Sequence, residues 1–379
     1  MLLFYYFVMH VFYSVALYGT RPILSLYVHE SGGSEILVGV LVSIYALLPM
    51  VFAVRVGKWL DRFGARSVNL WGGLGMLVAI ALPSMYPNVP MFFFSQLMMG
   101  LSQICVLISL QKTVGNLNGD RDRLFATFSL SGSAGELIGP LMNGFIYMHF
   151  GFSVAYTAAA GFTAAALFMG VIIARSAWKS GDPLAGHRES GAFSMGDTWG
   201  LLRSVNLRNA LVISGLVLYS KDLFVAYFPI YASNLGMSSG EIGIILSLMA
   251  AMSIVVRLAQ AYLVRRFGRG QLFFVTLLLS SAAYLLIPIS DWPVLLAFLA
   301  MAMGSSLGLG QPLSLVFALN SSPEGRQGEV LGMRLTFNRA SQFGAPILFG
   351  AVGSSAGLSP IFWLSGAVLL IGAFATRIR

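Results

Sequence analysis

Runs of roughly 20 apolar residues follow one another along the whole chain, each long enough to cross a hydrocarbon core of about 30 Å as a helix. In lipid every backbone N–H and C=O must be bonded internally, so such a chain folds as a bundle of spanning helices. The composition agrees: 57% of the 379 residues are hydrophobic, 10% are charged, and mean hydropathy is +0.80. The first run, MLLFYYFVMHVFYSVALYG, has no charged n-region and no small-residue cleavage site, so it reads as a retained span. The single Cys105 excludes an intrachain disulfide framework.

Breaks, prolines and charges predict twelve spans, at about 3–28, 36–56, 68–86, 90–111, 124–148, 152–174, 209–232, 241–262, 271–289, 293–319, 330–353 and 358–376. Loops on one side hold the basic residues, from Arg55, Lys58, Arg62 and Arg66 to Arg377 and Arg379. Loops on the other side hold only acids, such as Glu30, Glu35, Glu241 and Asp291. Lys and Arg gather on the cytoplasmic face of membrane proteins. Both termini are therefore expected in the cytoplasm, and the net charge of +9 is topology rather than a nucleic-acid patch.

The longest polar interruption, SAWKSGDPLAGHRESGAFSMGDTWGLLRSVN, separates six spans from six. RFG at 62–64 recurs at 266–268. Gly39 and Gly100 fall on Gly243 and Gly304 at the same offset, and Pro140 and Gly144 match Pro346 and Gly350 two residues later. The chain reads as a duplicated six-helix unit: an all-α integral membrane protein of two pseudo-symmetric bundles. The boundaries predicted are 1–175 for the first bundle, 176–207 for a cytoplasmic linker and 208–379 for the second. Parallel repeats of this kind build transporters with a midplane substrate site.

The stretch GKWLDRFGAR, residues 57–66, gathers four charges between spans 2 and 3. It resembles the loop signature of the major facilitator superfamily, G-x-L-a-D-r-x-G-r-k. Gly57, Asp61, Arg62, Gly64 and Arg66 match, whereas Trp59, Leu60 and Ala65 depart. The echo YLVRRFGRG has Arg265 in place of the acid. The resemblance implies that Asp61 and its basic neighbours latch the cytoplasmic side of the outward-facing state; the alternative is a charged anchor with no gating role. In span 5, SGSAGELIGPLMNG resembles the family's antiporter signature at Gly135, Gly139, Pro140 and Gly144, which implies export; generic small-residue packing is the alternative. The Arg that such exporters often carry in span 4 is replaced by Gln96.

An ionised side chain at mid-bilayer costs about 2.5–3.5 kcal/mol on insertion scales, so each needs a reason. Two acids lie inside spans, Glu136 and Asp222, against the cations Arg21, Lys221, Arg257 and Arg339. Arg257 and Arg334 are expected near the cytoplasmic ends, where they could snorkel. Asp222 and Glu136 are the proton-coupling candidates, because desolvation favours a protonated carboxyl and a nearby cation the ionised one. Asp222 is the stronger of the two; Glu136 has the alternative of a permanent ion pair with Arg339 or Arg21. Helical spacing puts His10, Ser14, Tyr18, Arg21 and Ser25 on one face of span 1, and Gln96, Gly100, Gln103 and Gln111 on one face of span 4. The resemblance places both spans at the central cavity, so His10, Ser14, Tyr18, Arg21, Gln96, Gln103 and Arg339 are substrate-cavity candidates; the alternatives are a packed, hydrogen-bonded His10 and a Gln stripe that bonds between helices. The excess of cations favours an anionic or zwitterionic solute, with Tyr27, Tyr219, Tyr227 and Phe224 beside Tyr18 as candidate apolar lining; packing within the bundle or against lipid is the commoner role of such aromatics.

Gly57-Lys58 is followed by Trp59, so no Walker A motif is present. The four His form no metal or acyltransferase pattern, and no catalytic, cofactor or metal site is expected. The expectation is a secondary transporter of the major facilitator type in a bacterial inner membrane, a proton-coupled exporter acting as an antiporter. An uptake carrier for a small organic anion or sugar is the runner-up, and a membrane receptor the non-transport alternative. The partners implied are the lipid bilayer, a small-molecule substrate and protons, with no nucleic acid, and the chain is expected to act as a monomer.

Overall fold

The computed structural model describes residues 2–118, 121–178, 204–320, 322 and 327–376. Most of the expected linker, 179–203, lies outside the described residues, as do Arg377 and Arg379. The described residues form eleven α-helices and no strand: α1 (Leu2–Glu30), α2 (Glu35–Met85), α3 (Val89–Gly115), α4 (Arg121–Ile172), α5 (Arg175–Trp178), α6 (Val205–Asn234), α7 (Ser239–Phe267), α8 (Arg269–Leu286), α9 (Pro293–Asn320), α10 (Gln327–Ala356) and α11 (Leu358–Ala375). Apart from the single turn α5, they supply twelve spans in two bundles of six, because α2 and α4 each make two spans around one glycine. Among the described residues, α10 is the one helix of spanning length that falls short in apolarity, and it carries Arg334, Asn338, Arg339 and Gln342.

The loop expected at GKWLDRFGAR is not a loop. Helix runs through it on both sides of Gly64, the only residue there with non-helical dihedrals (φ 81°, ψ 159°). Gly151 does the same between spans 5 and 6 at φ 78°. Only glycine adopts this region without a Cβ penalty, so one residue suffices for each turn. The duplication is visible in these positions: Gly32, Gly64 and Gly151 have counterparts in Gly236, Gly268 and Gly357, all at positive φ.

Close helix approach repeats the pattern. A Cβ on Gly100 would meet the Tyr45 carbonyl oxygen at 2.0 Å, and one on Gly304 would meet that of Met249 at 2.0 Å. Between the halves, a Cβ on Gly39 would lie 2.2 Å from the Pro346 oxygen, and one on Gly243 would lie 2.5 Å from that of Pro140. Spans 2 and 11, and spans 5 and 8, thus form two related seams near the end opposite the termini. Hydrogen bonds close that end further: His29 to Asn234 at 3.0 Å, the Ile36 amide to Ser354 Oγ at 2.9 Å, and Ser239 Oγ to the Gly144 carbonyl at 3.1 Å. Toward the termini, the last bond between the halves among the described residues is Arg257 Nη1 to Ser133 Oγ, 2.9 Å. Among the described residues, hydrogen bonds between the halves close one end of the bundle and leave the other open.

Candidate functional site

A cavity of about 210 Å³ lies between the halves at mid-depth. Spans 1, 2, 4 and 5 contribute Tyr18, Arg21, Tyr45, Gln103, Glu136 and Pro140; spans 7 and 11 contribute Lys221, Asp222, Asn338, Arg339 and Gln342. Both intramembrane acids are paired, each across the interface. Arg21 Nη1 of span 1 donates to Asp222 Oδ1 at 3.1 Å, and Lys221 Nζ of span 7 bonds Glu136 of span 5. Neighbours on span 7 thus reach different spans of the opposite half, as residues about 100° apart on a helix must.

The second oxygen of Asp222 accepts from Gln342 Nε2 at 2.5 Å, and the Gln342 amide oxygen accepts from Arg339 Nη1 at 3.0 Å. The Arg21 guanidinium lies 4.9 Å from the Tyr45 ring centre, and Lys221 Nζ lies 5.8 Å from that of Tyr18. Such contacts let an aromatic face offset part of a cation's desolvation. Among the described residues Arg339 has no carboxylate partner. The partners weighed from sequence for Glu136, Arg339 and Arg21, are therefore replaced by Lys221. Which half a side chain faces depends on packing that periodicity does not encode.

Tyr18, Arg21, Gln103 and Arg339 line the cavity; His10, Ser14 and Gln96 do not. His10 stacks on Phe128 at 4.2 Å and shares a 2.5 Å hydrogen bond with Ser131. Ser14 fills the space beside Gly135, where a Cβ would approach its own Cβ to 2.2 Å, and Gln96 is buried elsewhere along span 4. Of the expected aromatic lining, Tyr27 stacks on Phe152, Phe224 on Phe228 and Tyr219 on Phe349, while Tyr227 donates to the carbonyls of Glu35 and Pro346. Arg257 and Arg334 do not snorkel. Arg257 Nε bonds the Gly308 carbonyl at 3.0 Å, and Arg334, 8% exposed, donates to Gln311 and Ser314.

The small residues of span 5 have two roles. Gly135 and Gly139 pack on span 1, and Gly144 packs across the interface on Ser239 and Gly243. Asp61 is exposed and pairs with Lys112 of span 4 at 2.7 Å, inside its own half. Arg62 lies over the Phe63 ring, Arg66 Nη2 donates to the Val171 carbonyl at 2.8 Å, and Gly57 faces open space.

The family model of the Major Facilitator Superfamily matches residues 6–339 and 210–378. The chain belongs to that superfamily. Among relatives of this superfamily transporter, the multidrug resistance protein MdtG of Dickeya zeae is 25% identical over 93% of this chain and 88% of its own length. The class C tetracycline resistance protein of Escherichia coli is 23% identical over 88% and 84%. Solved structures with the same fold include the nucleoside transporter NupG (TM-score 0.85, 11% identity, 99% of this chain and 98% of that one). A peptide transporter POT bound to sulfate has TM-score 0.81 and 18% identity, over 99% and 93%.

Proposed function

We propose that this major facilitator protein exports a small solute from the cytoplasm by exchange for protons, with Glu136 as the proton carrier. The observation that carries the reading is the pairing of both intramembrane carboxylates across the halves at the cavity. A carboxylate that gains a proton gives up its ion pair, so proton loading and the contact between halves are linked. Asp222 has both oxygens engaged, by Arg21 and Gln342, whereas Glu136 is held by Lys221 and also borders a second cavity toward the open end. That difference moves the assignment from Asp222 to Glu136. Export is supported by relatives named for multidrug and tetracycline resistance. The Lys and Arg bias supports cytoplasmic termini; with that orientation the form described opens inward, and Asp61, held here by Lys112 within its own half, would exchange that partner to latch the opposite form.

Substrate charge and coupling mode are tied together. A cation competes with protons for the carboxylates, which is antiport; an anion gains from protonation, which is symport. Arg339, with no carboxylate partner among the described residues, favours the second reading, an organic-anion symporter. Everted vesicles separate the two. With an acid interior, exchange predicts gradient-driven accumulation of tetracycline or lipophilic cations and alkalinisation of the lumen. Accumulation of organic anions only, with the proton moving in the same direction, would replace export by anion symport.

A further inference from the structure

A second cavity of about 50 Å³ lies beside the first, on the side toward the open end. Water needs about 10–15 Å³ of such space per molecule, so this one holds a few waters or a monatomic ion. Its charged lining is Lys221, Arg257 and Glu136, two cations against one acid, and Lys221 already bonds the acid. Arg257 uses Nε on the Gly308 carbonyl and Nη1 on Ser133, which leaves Nη2 with no hydrogen bond among the described residues. Ser253, one helical turn before Arg257, is buried against the same cavity and its hydroxyl has no partner there either. Gln311 offers no competing acceptor, because its amide oxygen takes Arg334 and its nitrogen donates to the Ser214 carbonyl. An uncompensated guanidinium inside a membrane protein is costly, and a small mobile anion removes that cost.

We propose that this cavity is a binding site for a small monovalent inorganic anion, chloride being the abundant one. Arg257 Nη2, Ser253 Oγ and Lys221 Nζ are its donors. The site adjoins the substrate cavity, with Glu136, Leu218, Lys221 and Met249 bordering both, and it does not depend on the direction of transport. The limited space selects against gluconate.

The test uses purified full-length protein at constant ionic strength, with chloride replaced stepwise by gluconate. Chloride and bromide are expected to raise the melting temperature saturably, whereas gluconate does not. Arg257→Gln should weaken the apparent halide affinity about tenfold or more, the scale of one charge-assisted hydrogen bond. Ser253→Ala keeps every charge and should weaken it less, so a poorly folded Arg257→Gln does not end the test. Anomalous diffraction from bromide-soaked crystals should place one peak between Arg257 and Lys221. A halide shift absent in the wild type, unchanged by both substitutions, or a bromide peak elsewhere would overturn the site.

Discussion

Ion pairs out of water contribute little net stability while intact and cost much when halved. Arg21 and Asp222, with side chains 12% and 7% exposed, are such a pair. Asp222→Asn should therefore destabilise the protein by about 3–5 kcal/mol, seen as a lower unfolding midpoint in detergent. Adding Arg21→Met should restore part of the loss; no recovery would mean that Asp222 acts chiefly through Gln342. Glu136→Gln leaves the Arg21 pair intact, so its predicted signature differs. Flux should lose its dependence on the proton gradient while substrate exchange persists, and unchanged pH dependence would remove Glu136 as the carrier. The sequence showed which residues were charged inside the membrane, but it did not show their partners. Glu136 meets Lys221 because of how two bundles face each other, a relation between residues 85 positions apart that no local pattern carries. Likewise, one face of span 1 runs from His10 to Ser25, yet a cavity of limited depth meets only Tyr18 and Arg21. Helical spacing fixes direction around an axis and says nothing of depth along it.

At the scale of elements, the glycines divide by what a methyl group would strike. Gly100→Ala and Gly304→Ala each drive a Cβ toward a backbone oxygen 2.0 Å away, and backbone yields less readily than a side chain. Both should lower the melting temperature markedly, and by similar amounts, because the contacts are related by the duplication. Gly57 faces open space on a helix, so Gly57→Ala should leave stability unchanged or raise it by up to about 1 kcal/mol. A loss of transport in that stable variant would support the latch reading of its motif; normal transport would favour the anchor. Most span boundaries were legible to within a few residues, because apolar length and capping residues mark them: Ser34, Asn88 and Ser238 accept amide bonds at the starts of α2, α3 and α7. The turns were less so. Charge at 57–63 looked like a loop, whereas a positive φ at Gly64 alone reverses the chain and leaves those residues helical.

For the whole molecule, the duplication read from RFG, Gly39 and Gly100 reappears as paired turns and paired seams. The seams hold the end opposite the termini shut. Gly243→Ala, which puts a Cβ 2.5 Å from the Pro140 oxygen, should pry that end apart. Spin labels on the ends of spans 5 and 8 beside the seam should then report longer distances than in the wild type; an unchanged distribution would mean that the seam tolerates the methyl by local adjustment. The duplication does not extend to charge. Glu136 of span 5 corresponds to Gln342 of span 11 at the offset of their neighbouring prolines, and Arg257 has the apolar Ala53 as its counterpart in the first half. Two similar scaffolds thus carry dissimilar cargo machinery, which a repeat search alone does not disclose. The neighbouring Lys221 and Asp222 have an electrical consequence. Together with Arg21 and Glu136 they sum to zero, so rocking the halves carries no net charge from these four groups through the membrane field. A unit charge crossing 100 mV exchanges about 2.3 kcal/mol with that field. Voltage therefore acts on the passenger, on any proton that Glu136 carries in the proposed exchange, and on Arg257, Arg334 and Arg339, and it has no purchase on the paired quartet itself.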